Sequence, residues 1–156
     1  GKVSAELVIL SADLETGTLV ISRNTQTPVL LYHESRWQAL ATPAAAIGIY
    51  PRTRPAIEEV PLRPGLMAIA FSDGVWHAGE RRGGRIDLQS FVQSLSPMLP
   101  AEAFADRILE RALSNEQGRP SDDLSVVVFQ VAGTARDGVR RLRMSVPVPA
   151  RISESW

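Results

Sequence analysis

The sequence predicts an α+β domain, with strands gathered in its first half and helices in its second. Three features carry that expectation. Residues 5–71 hold short apolar or alternating runs separated by turn residues, which is the pattern of strands. Residues 88–113 switch to apolar positions at helical spacing. A last apolar run, Leu124-Ser125-Val126-Val127-Val128-Phe129, returns to strand character.

The elements follow in order. Residues 5–12 form a first apolar strand, and Asp13-Leu14-Glu15-Thr16-Gly17 is a polar turn whose glycine supplies a permissive backbone. Residues 18–23 and 29–32 are two further strands, expected to continue the first as a meander. Residues 47–50 are a short strand candidate, and residues 57–62 alternate polar and apolar side chains. Arg63-Pro64-Gly65 marks a tight turn before residues 67–71, whose apolar run suits a central strand covered on both faces. Leu88, Phe91, Val92 and Leu95 define one amphipathic helix. Phe104, Ala105, Ile108, Leu109, Ala112 and Leu113 define a stronger second one, with Pro100 suited to its first turn. Residues 114–121, with Gly118 and Pro120, break that helix, and residues 124–131 form the closing strand. The domain is therefore expected over residues 1–131. Residues 132–156, with the basic segment Arg140-Arg141-Leu142-Arg143 and then Pro147 and Pro149, are expected as an edge strand or arm.

Composition excludes several classes. At 156 residues the chain suits one domain with a real core, and 44% hydrophobic with 22% charged residues is ordinary for a globular protein. A formal net charge of +0 argues against nucleic-acid or anionic-membrane partners. The absence of cysteine excludes disulfides and thiolate metal sites. No apolar stretch approaches the roughly 18 residues of a membrane helix, and the start lacks a signal-peptide pattern, so a cytoplasmic domain is expected.

Two acidic turns carry the chemistry. Asp73-Gly74 ends the run 67–71, and Asp122-Asp123 opens the run 124–129, about fifty residues later. A carboxylate at the rim of a buried strand must be solvated, hydrogen-bonded or bound to a cation. Either turn alone reads as a plain turn; together they suggest a site for a hard metal ion, which prefers carboxylate and water oxygens. Asn24, Trp76 and His77 could border the same cleft, although a turn asparagine and a surface histidine need no such role. His33 reads as a surface residue, and the arginine cluster as a solvated edge.

The order Ser72-Asp73-Gly74-Val75, two helices, then Ser121-Asp122-Asp123-Leu124-Ser125-Val126-Val127-Val128 resembles the metal-dependent (PPM) serine/threonine phosphatases, most closely their bacterial stage-II-sporulation-E-like branch. Ala12-Asp13, Gly17-Thr18-Leu19, Asn24 and Pro28 are similar to that family's meander, so the likeness runs from about Val3 to Val131. It implies a β-sandwich of two antiparallel sheets flanked by helices, holding two Mn²⁺ or Mg²⁺ ions. It also implies hydrolysis of phosphoserine or phosphothreonine by metal-activated water, with no catalytic side chain beyond that water and no covalent intermediate. On this resemblance Asp73 and Asp122 are metal ligands, Asp123 stands behind them or forms the turn, and Gly74 gives room for a close backbone approach. The implied partner is a phosphorylated signalling protein such as an anti-sigma-factor antagonist, and a homodimer is left open.

Departures from the family pattern bear on activity. The early Gly-Asp-x-x-Gly-His-Gly segment, whose Asp bridges both metals, has no match here, so the N-terminal part of the domain is expected to be missing or its bridging ligand lost. Asn24-Thr25-Gln26-Thr27-Pro28 stands where Asn-Ala-Gly-His-Pro is usual, Leu66 where an Asp is common, and His77 where an acidic residue is usual. Two readings follow: a phosphatase whose 156-residue chain is inactive alone, or a non-catalytic binding module that keeps the phosphatase fold.

Overall fold

The computed structural model describes residues 3–133. Seven strands form two antiparallel sheets: β1 Leu7–Asp13, β2 Thr18–Asn24, β3 Val29–His33, β4 Arg36–Leu40, β5 Ala56–Pro61, β6 Met67–Phe71 and β7 Val126–Gln130. One sheet has the order β1-β2-β5 and the other β4-β3-β6-β7. The helices are α1 Asp73–Trp76, α2 Leu88–Ser94 and α3 Ala101–Asn115, with a 3₁₀ turn at Glu80–Arg82.

The β1–β2 hairpin closes as its turn residues require. The Asp13 Oδ1 accepts the Glu15 N–H at 2.8 Å and the Thr16 N–H at 3.2 Å, and Gly17 takes a φ of 69°. The expected three-strand meander does not form. After β2 the chain crosses to the other sheet, where β3 pairs with β4 and β6. Packing explains the crossing, because Val29 and Leu31 bury themselves across the gap against Leu19 and Ile21 rather than beside them.

Strand β4 was not anticipated from the sequence. It is joined to β3 through Glu34 and Ser35, both with positive φ (50° and 61°), so a tight hairpin is made without the Asn-Gly signal that usually announces one. Residues 47–50 are not a strand; Ile47 alone makes an isolated bridge to Ala5. His33 is half-buried rather than a surface residue, with its Nε2 enclosed. Pro100 sits just outside α3, at its N-cap, and Leu113 is exposed rather than part of the buried stripe.

All five residues of β6 are buried, as an apolar run covered on both faces should be. Ala68 and Ala70 face the inter-sheet core with Leu19, Ile21, Val29 and Leu31. Met67, Ile69 and Phe71 face a second core completed by Val75, Leu88, Val92, Phe104 and Ile108 from the helical layer. Among the described residues, no helix is long and apolar enough to cross a membrane. The basic segment at residues 140–143 lies outside the described residues.

Candidate active site

Pairing of β6 with β7 brings the two acidic turns together, since Phe71 stands opposite Val126 at the strand ends. Ser72 extends the pairing by one residue. Its N–H donates to the Ser125 carbonyl at 2.9 Å, its Oγ donates to the Asp123 carbonyl at 2.8 Å, and that Oγ accepts the Ser125 N–H at 3.1 Å. Gly74 completes the contact: a Cβ there would collide with the Asp123 carbonyl and lie 3.2 Å from the Asp122 Cβ. The room that glycine leaves is therefore occupied by the 122–123 turn.

Asp73 and Asp122 are exposed and locally alike. Each uses Oδ1 to accept the next backbone N–H, from Gly74 at 2.9 Å and from Asp123 at 2.8 Å, leaving its second oxygen available. Neither makes an ion pair among the described residues. They share an open cleft of about 260 Å³ with Gly74, His77, Glu80, Arg81 and Ser121. A wider groove of about 600 Å³ runs from Glu6 and Val8 on the β1 side to Ser125 and Val127, and Asp73 stands at the junction of the two.

The remaining sequence-selected residues divide. His77 lines the cleft, with its Nδ1 2.8 Å from the Glu80 Oε1. That hydrogen bond, with the charges of His77 and Arg85 adding, holds the Glu80 carboxyl below its ordinary range. Trp76 lies to the side, stacked on Phe71 at 5.6 Å, with the Arg85 guanidinium over its ring, also at 5.6 Å. Asn24 is buried, its Nδ2 donating to the Ala45 carbonyl at 3.1 Å, and does not line the cleft. Asp123 offers the site its carbonyl, through Ser72, and its own side chain is exposed.

Sequence reasoning missed Ser72, Ser121, Glu80, Arg81 and Glu116. Glu116 is the least expected, because its side chain is only 3% exposed. It accepts the Gly79 N–H at 2.7 Å and the Ser121 N–H at 3.2 Å, with the Arg82 Nε at 3.9 Å. A signal existed: Phe104, Ile108, Ala112 and Glu116 recur four apart, so a carboxylate at the C-cap of α3 falls in line with its buried stripe.

Residues 2–132 match the family of stage II sporulation protein E (SpoIIE). The chain belongs to the SpoIIE family. Solved structures of similar fold agree. The phosphatase domain of SpoIIE from Bacillus subtilis superposes with a TM-score of 0.65 at 16% identity, over 84% of this chain and 60% of that one. The SiaA PP2C domain of Pseudomonas aeruginosa gives 0.64 at 19% identity, over 81% and 52%. The catalytic domain of the serine/threonine phosphatase PstP, solved with two manganese ions, gives 0.58 at 16% identity, over 83% and 60%. No curated protein matches the chain. The two antiparallel sheets with helices are thus the PP2C phosphatase fold, and the chain spans 60% of the length of the SpoIIE domain it matches.

The site fits a hard divalent cation in donor type. Two solvent-facing carboxylates without ion-pair partners are the set by which Mg²⁺ is commonly held, water supplying the other ligands. It is incomplete in number, since among the described residues no group of three or more His, Cys, Asp or Glu is placed to hold a metal.

Proposed function

We propose that this domain belongs to a Mn²⁺- or Mg²⁺-dependent phosphoserine/phosphothreonine protein phosphatase of bacterial signalling. The observation that carries the reading is the meeting of Asp73 and Asp122 in one open cleft, in a chain of the SpoIIE family. Asp73 and Asp122 would hold the cations, which supply charge neutralisation and activation of water. The chain's own contribution is positional. Ser72 and Gly74 lock the two turns together, Glu116 fixes the segments on either side, and the rigid pairing of β6 with β7 sets the distance between the carboxylates.

The substrate is a phosphorylated signalling protein, an anti-sigma-factor antagonist or similar domain, in the cytoplasm. The joining of RsbU and RsbW domains in a structural neighbour from Mycobacterium tuberculosis supports that setting. With no group of three or more His, Cys, Asp or Glu placed to hold a metal among the described residues, the 156-residue chain by itself is expected to bind metal weakly and turn over little substrate. The same observation favours a second reading, a phosphatase-fold module that binds its partner without turnover.

The test is Mn²⁺-dependent hydrolysis of a phosphoseryl peptide by the full-length gene product. The phosphatase reading expects activity that Asp73→Asn abolishes. Tight binding of the phosphoprotein with no metal-dependent turnover favours the binding module instead.

A further inference from the structure

We infer that Arg81 is the anion-binding residue of this cleft, placed to take the phosphoryl oxygens of the substrate and of product phosphate; the identity of the anion rests on the phosphatase reading. Arg81 is the middle residue of the 3₁₀ turn at Glu80–Arg82. The turn is bracketed by Gly79 and Gly83, with φ of 87° and 82°, a region that favours glycine. Its outer residues are both tied down. Glu80 meets His77 at 2.8 Å and Arg85 at 3.2 Å, while Arg82 donates from Nη2 to the Arg119 carbonyl at 3.0 Å and faces the buried Glu116. Arg81, between them, makes no hydrogen bond or ion pair among the described residues, yet it lines the cleft beside Asp73 and Asp122. It is the one arginine lining that cleft among the described residues.

Charge gives this placement a purpose. A phosphomonoester entering between two bare carboxylates meets repulsion, which a cationic side chain lining the same cleft offsets. A guanidinium also presents parallel N–H donors that match two phosphoryl oxygens, which a point charge does not. The remaining charges at the cleft are already engaged, with Glu80 paired to both His77 and Arg85.

The experiment titrates inorganic phosphate into the 156-residue chain at saturating Mg²⁺ by calorimetry, and follows Mn²⁺ binding separately by the free-ion EPR signal. Arg81→Gln should weaken phosphate binding about ten- to hundredfold, the scale of a lost charged hydrogen-bonding group, and Arg81→Lys should recover only part of it. Arg107→Gln, on the exposed side of α3, should leave it unchanged. Mn²⁺ affinity should persist in Arg81→Gln. The inference is overturned if the chain binds no phosphate, or if Arg81→Gln binds it as the parent does. It is overturned too if that variant only tightens Mn²⁺ binding, which would make Arg81 a counterion of the carboxylates. Failure of the phosphatase reading looks different: phosphate bound through Arg81, with no Mn²⁺ bound by Asp73 and Asp122, leaves the anion site standing and removes the metal centre.

Discussion

The Glu116 carboxylate accepts the Gly79 N–H at 2.7 Å and so ties the C-terminal end of α3 to the segment that follows Asp73. Its other oxygen accepts the N–H of Ser121, immediately before Asp122. One buried side chain therefore spans both halves of the candidate metal site. Glu116→Gln keeps the shape but turns an amide NH₂ toward one of two N–H donors, leaving a buried donor unpaired. The variant is expected to lower Tm and to weaken Mn²⁺ binding about tenfold, as loss of an orienting partner commonly does. Calorimetric melting paired with Mn²⁺ titration checks it; a fall in Tm with unchanged Mn²⁺ affinity would limit Glu116 to a structural role.

The same contacts fix the sign of a pH effect. The Gly79 N–H, with Ser121 and Arg82 adding and burial opposing, holds the folded Glu116 carboxyl below its ordinary value of 4.5. Between the folded and unfolded values the unfolded chain binds more protons, so this contribution is complete above about pH 4.5 and is lost as pH falls through the lower folded value. Asp13, Glu80 and Asp87 are displaced the same way, by hydrogen bonds from Thr16, His77 and Ser90. Urea denaturation from about pH 6 to about pH 3 should show stability falling with acid, and the gap between the parent chain and Glu116→Gln should close at the acid end.

Gly74 is expected to tolerate no side chain. Its backbone lies against the 122–123 turn, so Gly74→Ala must push that turn away from β6. Overpacking of this kind costs about 1–3 kcal/mol. Gly84→Ala is the control, because a Cβ there meets nothing within 4 Å. Urea unfolding of both variants decides the matter: equal stabilities would show that the two turns do not depend on each other's contact.

Much of this architecture was legible in the chain, and the parts that were not share a cause. The run at residues 67–71 announced a strand covered on both faces, and the 3.6 periodicity of Phe104, Ile108 and Ala112 announced α3. Hydrophobic period reports which side of an element is buried, and not which neighbour buries it. The crossing from β2 to β3 was hidden for that reason, since Val29 and Leu31 satisfy the same pattern beside β2 or across from it. Hairpin β3–β4 was hidden because Glu34 and Ser35 adopt positive φ without a glycine to mark it. At the site, the carboxylates Asp73 and Asp122 stood out as acidic residues at strand ends. Their supports did not, because Ser72, Glu116 and Arg81 act through partners 51, 37 and more residues away or through a turn that carries no motif. Asn24 illustrates the converse: a polar residue selected from the sequence spends its amide on the Ala45 carbonyl.

The two carboxylates themselves should behave as one unit. Asp73 and Asp122 share a cleft, have no cationic partner among the described residues, and each keeps one oxygen outside its local hydrogen bond. If they hold one cation jointly, removing either loses most of its binding, and removing both adds little. Asp73→Asn and Asp122→Asn should each weaken Mn²⁺ binding at least about tenfold, with the double variant close to the singles. Asp123→Asn should change it far less, because that residue meets the site through its carbonyl. Stability should move the other way or not at all, within about 0.5 kcal/mol, since each substitution removes a charge that makes no ion pair among the described residues. Independent, additive losses from Asp73→Asn and Asp122→Asn in the EPR titration would mean two separate weak sites rather than one shared centre.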